Sequence, residues 1–268
     1  MEQAEGPRLF DTHCHLAWEK DPAAVAADCA RHGAALACCT VTPREFLDAR
    51  ESLASVPNVL LGVGVHPWWV ADGRAGTADV DLACELAREA ALVGEVGLDF
   101  SPARSDTAGN EAQVTALTRI CNAAAAQAGG APKVVSLHAV RSAGAVLDVL
   151  EGTGAAHGCR CVMHWFSGTS DDLGRAVGMG CLFSVGERML ATRRGREYAR
   201  QLPKERLLLE TDLPDACDQG VGAEGLLSSL DRGLMALAQV RGTDKDELAC
   251  TLAANARDLL DGVCALAV

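Results

Sequence analysis

Two histidines separated by one residue, His13 and His15, stand at the end of a short apolar run that begins with Leu9 and Phe10. Strand side chains alternate between two faces, so both imidazoles point the same way, with Asp11 in phase. Paired imidazoles beside a carboxylate suit a divalent metal ion. The stretch taken alone equally fits a buried, hydrogen-bonded histidine pair, and the remaining ionisable residues decide between the two. His66, Glu95, His138, His164 and Asp212 each lie at or just after a short apolar stretch, and with His13 and His15 this set holds five of the chain's seven histidines. His32 and His157 fall outside it and are assigned no role. Even four of these histidines with the two carboxylates exceed what one four-coordinate ion needs. They suit two divalent ions, about 3.5–4 Å apart and bridged by a carboxylate, which could hold a hydroxide and clamp a phosphate or polarise a carbonyl. A mixed nitrogen and oxygen donor set fits zinc, manganese or iron, or magnesium with waters completing its shell, better than calcium. Glu210, two before Asp212 and on the same strand face, is expected as a ligand's support or a substrate contact. Asp99 is expected in a loop outside the metal cage, and Cys14 in the core on the opposite strand face.

These residues need a scaffold that gathers strand ends. From residue 8 onward the pattern alternates short apolar strand and amphipathic helix. Strands are predicted over 8–13, 35–41, 59–65, 92–96, 133–137, 159–163, 181–185 and 206–210. Helices are predicted to start at Asp21-Pro22, with aspartate as cap and proline at the first helical position, and at Thr42, with Glu45 completing a capping box. Others are predicted over 80–90, 110–127 (capped by Asn110 and Gln113), 143–150, 171–179, 192–201, 224–241 and 244–260. Eight strand–helix repeats predict an α/β fold, a (β/α)8 TIM barrel of the metal-dependent hydrolase type, spanning residues 1–268 as one domain. An open doubly wound sheet would carry a glycine-rich first loop, and HCHLAWEKDP is not one. In a barrel the C-terminal strand ends share one face, where active sites are built.

Composition narrows the class. The chain is 49% hydrophobic but only 4% aromatic, so its core rests on alanine, valine, leucine and cysteine. Twelve cysteines without a CxxC pair read as reduced small hydrophobes. No stretch approaches the ~20 apolar residues of a membrane span. The acidic start MEQAEGPR lacks a signal peptide's apolar segment, so a cytoplasmic protein is expected. A net charge of −12 argues against tight residence on nucleic acid but allows a brief encounter at a local positive patch. One such patch is residues 187–206, with seven basic and three acidic side chains. Arg188, and with it Arg193, Arg194 and Arg196, is expected near the active face, touching a phosphate backbone.

The stretches DTHCHL (11–16), GVHPW (64–68), GEVGLDF (94–100), LHAVRSAG (137–144), MHWFSG (163–168), LLLETDLP (207–214) and NARDLL (255–260) run in the order found in the TatD-related metal-dependent deoxyribonucleases, within the wider amidohydrolase-like barrels. The chain resembles that family over nearly its whole length. The resemblance implies that His13, His15 and Asp212 bind one ion, that His138 and His164 bind the second, and that Glu95 bridges. It implies that Asp212 also orients or deprotonates the attacking water and that His66 contacts the substrate phosphate or leaving group. Arg141 and Glu210 are taken as further substrate contacts. Ala17 replaces an aspartate common in the family, Arg141 follows HAV rather than completing HSR, and DACDQGVGAEG after the last strand lacks the family's basic stretch.

The expected activity is metal-dependent phosphodiester hydrolysis of DNA, as an exonuclease on single-stranded ends, by a monomer. The alternatives are an amidase, lactonase or esterase acting on a small molecule, or a metal-stabilised binding protein. Trp68, Trp69, Trp165 and Phe166, near strand ends, could stack on a base or floor the barrel mouth as packing.

Overall fold

A computed structural model describes residues 7–53, 55–103, 106–126 and 131–262. The N-terminal residues 1–6, Gln127 at the expected end of one helix, and Cys264 lie outside that set. The first half comprises β1 (Leu9–Cys14), α1 (Pro22–Arg31), β2 (Ala34–Cys39), α2 (Pro43–Leu53), β3 (Val59–Val63), α3 (Pro67–Ala71), α4 (Thr77–Ala87) and β4 (Leu92–Asp99). Next come α5 (Thr107–Ala125), β5 (Lys133–Val140), α6 (Ala143–Thr153), α7 (Ala155–Gly158), β6 (Cys159–His164) and α8 (Ser170–Gly178). The last part comprises β7 (Leu182–Val185), α9 (Glu187–Ala191), α10 (Arg193–Gln201), β8 (Leu207–Leu209), α11 (Gly222–Arg241) and α12 (Lys245–Leu260).

The eight strands pair in parallel in sequence order. The sheet closes through the segment after β8. Thr12 Oγ1 donates to the Leu209 carbonyl at 2.9 Å. Beyond it, Asp212 N–H donates to the His13 carbonyl at 2.9 Å and His15 N–H to that of Leu213 at 2.8 Å. The fold is the expected (β/α)8 barrel. Among the described residues no helix is long and apolar enough to cross a membrane.

Local chemistry sets the helix starts. Asp21 accepts from Ala24 N–H ahead of Pro22, and Thr42 Oγ1 accepts from Glu45 N–H. The Glu45 carboxylate reaches Val41 N–H, one residue upstream of the expected box partner. Asp106, not Asn110 or Gln113, caps α5. Gln113 is instead buried inside it, and its amide brackets Asp99: it accepts from Asp99 N–H at 2.7 Å and donates to the Asp99 carbonyl at 3.1 Å. β4 and β5 run three residues past their expected ends because Val96–Asp99 pairs with Leu137–Val140. Asp99 is therefore a strand-end residue, not a loop residue. The short helices α3, α7 and α9 occupy stretches read as connections.

Two packing layers hold the barrel. Its inside floor joins Phe10, Ala35, Leu60, Leu92, Val134, Val162 and Leu208 to Ala253, Ala256 and Leu259 of α12. Outside, Val135, Leu137, Met163 and Phe183 pack with helix residues such as Ile120, Leu147 and Leu230. Nine of the described cysteines are buried and none is in a disulfide. Cys14 lies among Ala26, Cys29 and Cys38, on the helix side as expected.

β1 and β4 each carry a register shift, between Asp11 and Cys14 and between Val93 and Val96. Strict alternation from Phe10 and Leu92, both on the barrel floor, would turn Thr12 and Gly94 inward. The irregularities bring His13 and Glu95 inward instead, since one extra residue reverses strand phase. They also take Asp11 out of phase with the histidines. Its carboxylate accepts from Thr211 N–H at 3.0 Å and from Thr211 Oγ1 at 2.6 Å, and so ties β1 to the end of β8.

Candidate active site

Seven predicted residues converge at the C-terminal strand ends. The Glu95 carboxylate lies at their centre. His138 Nδ1 is 2.8 Å from its Oε1, and the Nε2 atoms of His66 and His164 are each 3.2 Å from that oxygen. On Oε2, the Nε2 atoms of His15 and His13 lie at 3.6 and 3.8 Å. Asp212 Oδ1 is 3.3 Å from His15 Nε2 and 3.8 Å from His13 Nε2. Among the described residues, three trios offer ligand atoms within 4.8 Å of one another: His13, Glu95 and His164; His13, His15 and Asp212; and His66, Glu95 and His138. Gly97 helps to seat them, since a Cβ there would lie 2.0 Å from the His138 carbonyl. Trp165, directly after β6, and Asp212, three residues past β8, adopt positive φ of 39° and 57°.

The outward nitrogen of each ring dictates what the inward one presents. His15 Nδ1 faces the Cys39 carbonyl at 3.0 Å. His138 Nε2 faces Asp99 Oδ2 at 3.2 Å, and His164 Nδ1 faces Glu210 Oε2 at 3.5 Å. Carbonyls and carboxylates only accept, so these outward nitrogens carry a proton; the inward nitrogens face Glu95 or Asp212 as well, and would offer a lone pair to an ion on releasing their own proton. His13 Nδ1, 2.7 Å from Ser136 Oγ, can donate in the same way. His66 is the opposite case. Its Nδ1 accepts from Trp68 N–H at 3.2 Å, so its N–H is on Nε2 and points at Glu95.

Charge follows this geometry. Burial pushes Glu95 up, but the imidazoles around it, His66 first and then His13, His138 and His164, hold its carboxyl well below the usual range. Asp212 is likewise held low, against burial, by its hydrogen bond with His15 and the charges of His164 and His13. Burial lowers His13 and His66. His15 is raised to about 9, because Asp212 and Glu95 outweigh its burial. Asp99 stays ionised despite its burial, held low by hydrogen bonds with His138, Ser101 and Trp68.

The residues fit a divalent cation. Among the described residues His13 Nε2 is buried without a hydrogen-bond partner, directed between two ionised carboxylates. A buried, unpaired polar atom is costly, and a cation satisfies it together with both carboxylates.

Above this cluster opens a cavity of about 580 Å³, bordered by Trp18, Trp68, Trp69 and Trp165. Four carboxylates line it, from Glu95, Asp99, Asp212 and Asp215, against Arg188 as the one arginine or lysine among its described lining residues. Trp18, stacked on His15 with ring centroids 4.3 Å apart, went unrecognised in the sequence.

Two expected substrate contacts lie off the cavity wall. Glu210 is buried at 1% exposure behind His164, accepting from Trp165 N–H at 3.1 Å and from Ser184 Oγ, and it does not line the cavity. Arg141 is exposed and absent from the cavity wall. Phe166 is also no stacking candidate, since it packs against Phe183 and Tyr198 in the core. Arg188 reaches the cavity as expected. Arg193, Arg194 and Arg196 are exposed outside it, and Arg194 Nη1 touches the Ser167 carbonyl at 3.4 Å. Sequence reading missed Ser136 and Ser184. The available signal was strand parity: Ser136 shares a face with His138, and Ser184 is the lone polar residue of β7.

The family model described as TatD related DNase matches residues 10–261. A protein of Citrobacter rodentium named 3'-5' ssDNA/RNA exonuclease TatD is 29% identical over 228 residues, covering 80% of this chain and 82% of the relative. The Escherichia coli protein of that name is 27% identical over 229 residues, covering 81% and 83%. A crystal structure of a TatD-family hydrolase from Entamoeba histolytica has a TM-score of 0.76 at 16% identity and covers 95% of this chain and 98% of its own. A TatD homologue from Escherichia coli has a TM-score of 0.72 at 22% identity, covering 94% and 98%. At such identities these two structures speak for the fold alone.

Proposed function

The chain belongs to the TatD-related DNase family, and from that premise we propose that it is a metal-dependent exonuclease removing nucleotides from single-stranded DNA ends, with residues 1–268 acting as one hydrolase domain. The 3'-5' polarity and the acceptance of RNA in its relatives' names are carried over to it. The observation that supports this most is the convergence of the three ligand trios on Glu95 and Asp212 under an open cavity.

His13, His15 and Asp212 would hold one divalent ion and His138 and His164 a second, with Glu95 shared between them. Bound there, ions of the zinc, manganese, iron or magnesium class supply Lewis acidity toward the phosphoryl oxygens and the attacking water. Asp212, at the edge of the cavity, orients that water and takes its proton. His66 presents Nε2–H, and so donates to a phosphate oxygen or the departing oxygen rather than acting as a ligand. Asp99 and Glu210 stand behind the rings of His138 and His164 and would orient their inward nitrogens toward an ion. The tryptophans at the rim offer faces on which a terminal base can stack.

The test is degradation of an end-labelled single-stranded oligonucleotide by protein stripped of metal and then given manganese, magnesium or zinc, with Glu95→Ala as control. Metal-dependent shortening that the variant lacks is expected. The excess of carboxylates over cations around the cavity favours a second reading, hydrolysis of an ester or amide in an uncharged small molecule. Turnover of such substrates, with oligonucleotides left intact under every ion, would replace the first reading by the second.

A further inference from the structure

Arg188 is the one arginine or lysine among the described residues lining the cavity. It lies at the start of α9, just past the end of β7, with its side chain 36% exposed. Its guanidinium pairs with Asp215 in the loop after β8, lies 3.7 Å from Asp212 Oδ2, and sits 5.8 Å from the Trp165 ring centroid. Asp215 is itself 55% exposed and can swing into solvent without leaving a buried charge behind. A guanidinium already engaged by a planar anion, at the mouth of a chain of net charge −12, is preorganised for another anion of similar geometry.

We propose that Arg188 is the phosphate-gripping residue of this site and that Asp215 is its built-in competitor, a carboxylate that holds the guanidinium in place and is displaced when a substrate phosphate arrives. This rests on the phosphodiesterase reading and deepens it, because it names which group meets the anion beside the metal cluster. A second consequence concerns Asp212. While Arg188 is held by Asp215, it leans toward one oxygen of the residue assigned to the attacking water, and engagement with phosphate draws it from that position. A purely structural ion pair makes a different forecast: loss of either partner would then impair the site in the same direction. Displacement forecasts opposite signs.

The experiment compares metal-loaded wild type, Arg188→Gln, Arg188→Lys and Asp215→Asn. Arg31→Gln, at the C-terminal end of α1 and thus at the opposite barrel end, controls for net charge. KM and kcat are measured on a single-stranded oligonucleotide at several salt concentrations, and calorimetry gives Kd for inorganic phosphate and a deoxynucleoside 5'-monophosphate. Arg188→Gln should raise KM about tenfold or more, as loss of a charge-assisted contact does. It should also flatten the slope of log KM against log salt by about 0.7, one phosphate contact on a single strand. Arg188→Lys should recover part of the loss, and Asp215→Asn should lower KM severalfold. Equal KM and slope in wild type and Arg188→Gln, with oligonucleotide still degraded, would overturn the inference and leave the nuclease reading standing. A rise in KM for both Arg188→Gln and Asp215→Asn would overturn it in favour of a structural pair. Arg188-dependent phosphate binding without oligonucleotide cleavage would keep the anion site and remove the nuclease reading.

Discussion

The two ends of the barrel are built from the same strands and obey opposite rules. At the N-terminal end, Phe10, Leu60, Leu92, Val134 and Leu208 fill the interior with close-packed hydrocarbon, sealed by Leu259 of α12. At the C-terminal end, only a few residues further along those strands, His13, Glu95, His138 and His164 are buried as deeply but are ionisable. The floor is satisfied by its own contacts. The mouth is not, since among the described residues His13 Nε2 has no hydrogen-bond partner and Glu95 and Asp212 remain ionised among imidazoles of mixed charge. One end supplies stability and the other holds in readiness a site that stability alone would not select.

That contrast can be broken at three depths. The largest effect is expected at the mouth. His13→Ala should lose at least one equivalent of bound metal by elemental analysis and depress turnover by about a thousandfold, a loss of the several kcal/mol that metal polarisation supplies. It should also abolish the rise in Tm that a divalent ion gives wild type by binding only the folded state. A His13→Ala protein with unchanged metal content would dissolve the distinction between the ends.

The floor should answer in the other currency. Leu208→Ala is expected to cost about 2–5 kcal/mol of folding stability in urea titration. Well below its lowered Tm it should keep the wild-type metal content and the ion-dependent rise in Tm. Loss of metal affinity there would mean that the two ends are one cooperative unit.

The smallest effect sharpens the boundary of the mouth. Asp99→Asn keeps the shape but weakens the acceptor facing His138 Nε2. It should lower affinity for one ion about 10–100-fold, as loss of a ligand's supporting carboxylate does, and leave the ion at His13, His15 and Asp212 unaffected. Two-site calorimetric titration reads this directly. Equal weakening at both sites would show that Asp99 supports the whole cluster rather than one ring.

Much of this was legible in order along the chain. Period-two and helical patterns, with caps such as Asp21-Pro22, placed all eight strands, and a parallel barrel necessarily brings their C-terminal ends together. His13, His15, His66, Glu95, His138, His164 and Asp212 could therefore be grouped from sequence. Boundaries were harder, because strand pairing carried β4 and β5 beyond their apolar cores. That extension is why Asp99 belongs to the site although it reads as a loop residue. Arg141 and Glu210 lie off the cavity wall for a different reason. Proximity to a ligand in sequence says nothing about which side of that ligand a side chain occupies, and Glu210 lies behind His164 rather than in front of it.

The sequence by itself determined the fold class, the strand ends that carry chemistry and the donor types available for a metal, because all three follow from local pattern and residue chemistry. Tertiary structure alone decided the rest. Register shifts in β1 and β4, set by pairing with neighbouring strands, turned His13 and Glu95 inward and sent Asp11 to Thr211. Contacts between residues far apart in the chain decided what each ring's outward nitrogen meets: Ser136 for His13, Cys39 for His15, Asp99 for His138 and Glu210 for His164. A histidine has two nitrogens, and which one offers a lone pair depends on what the other meets across the barrel.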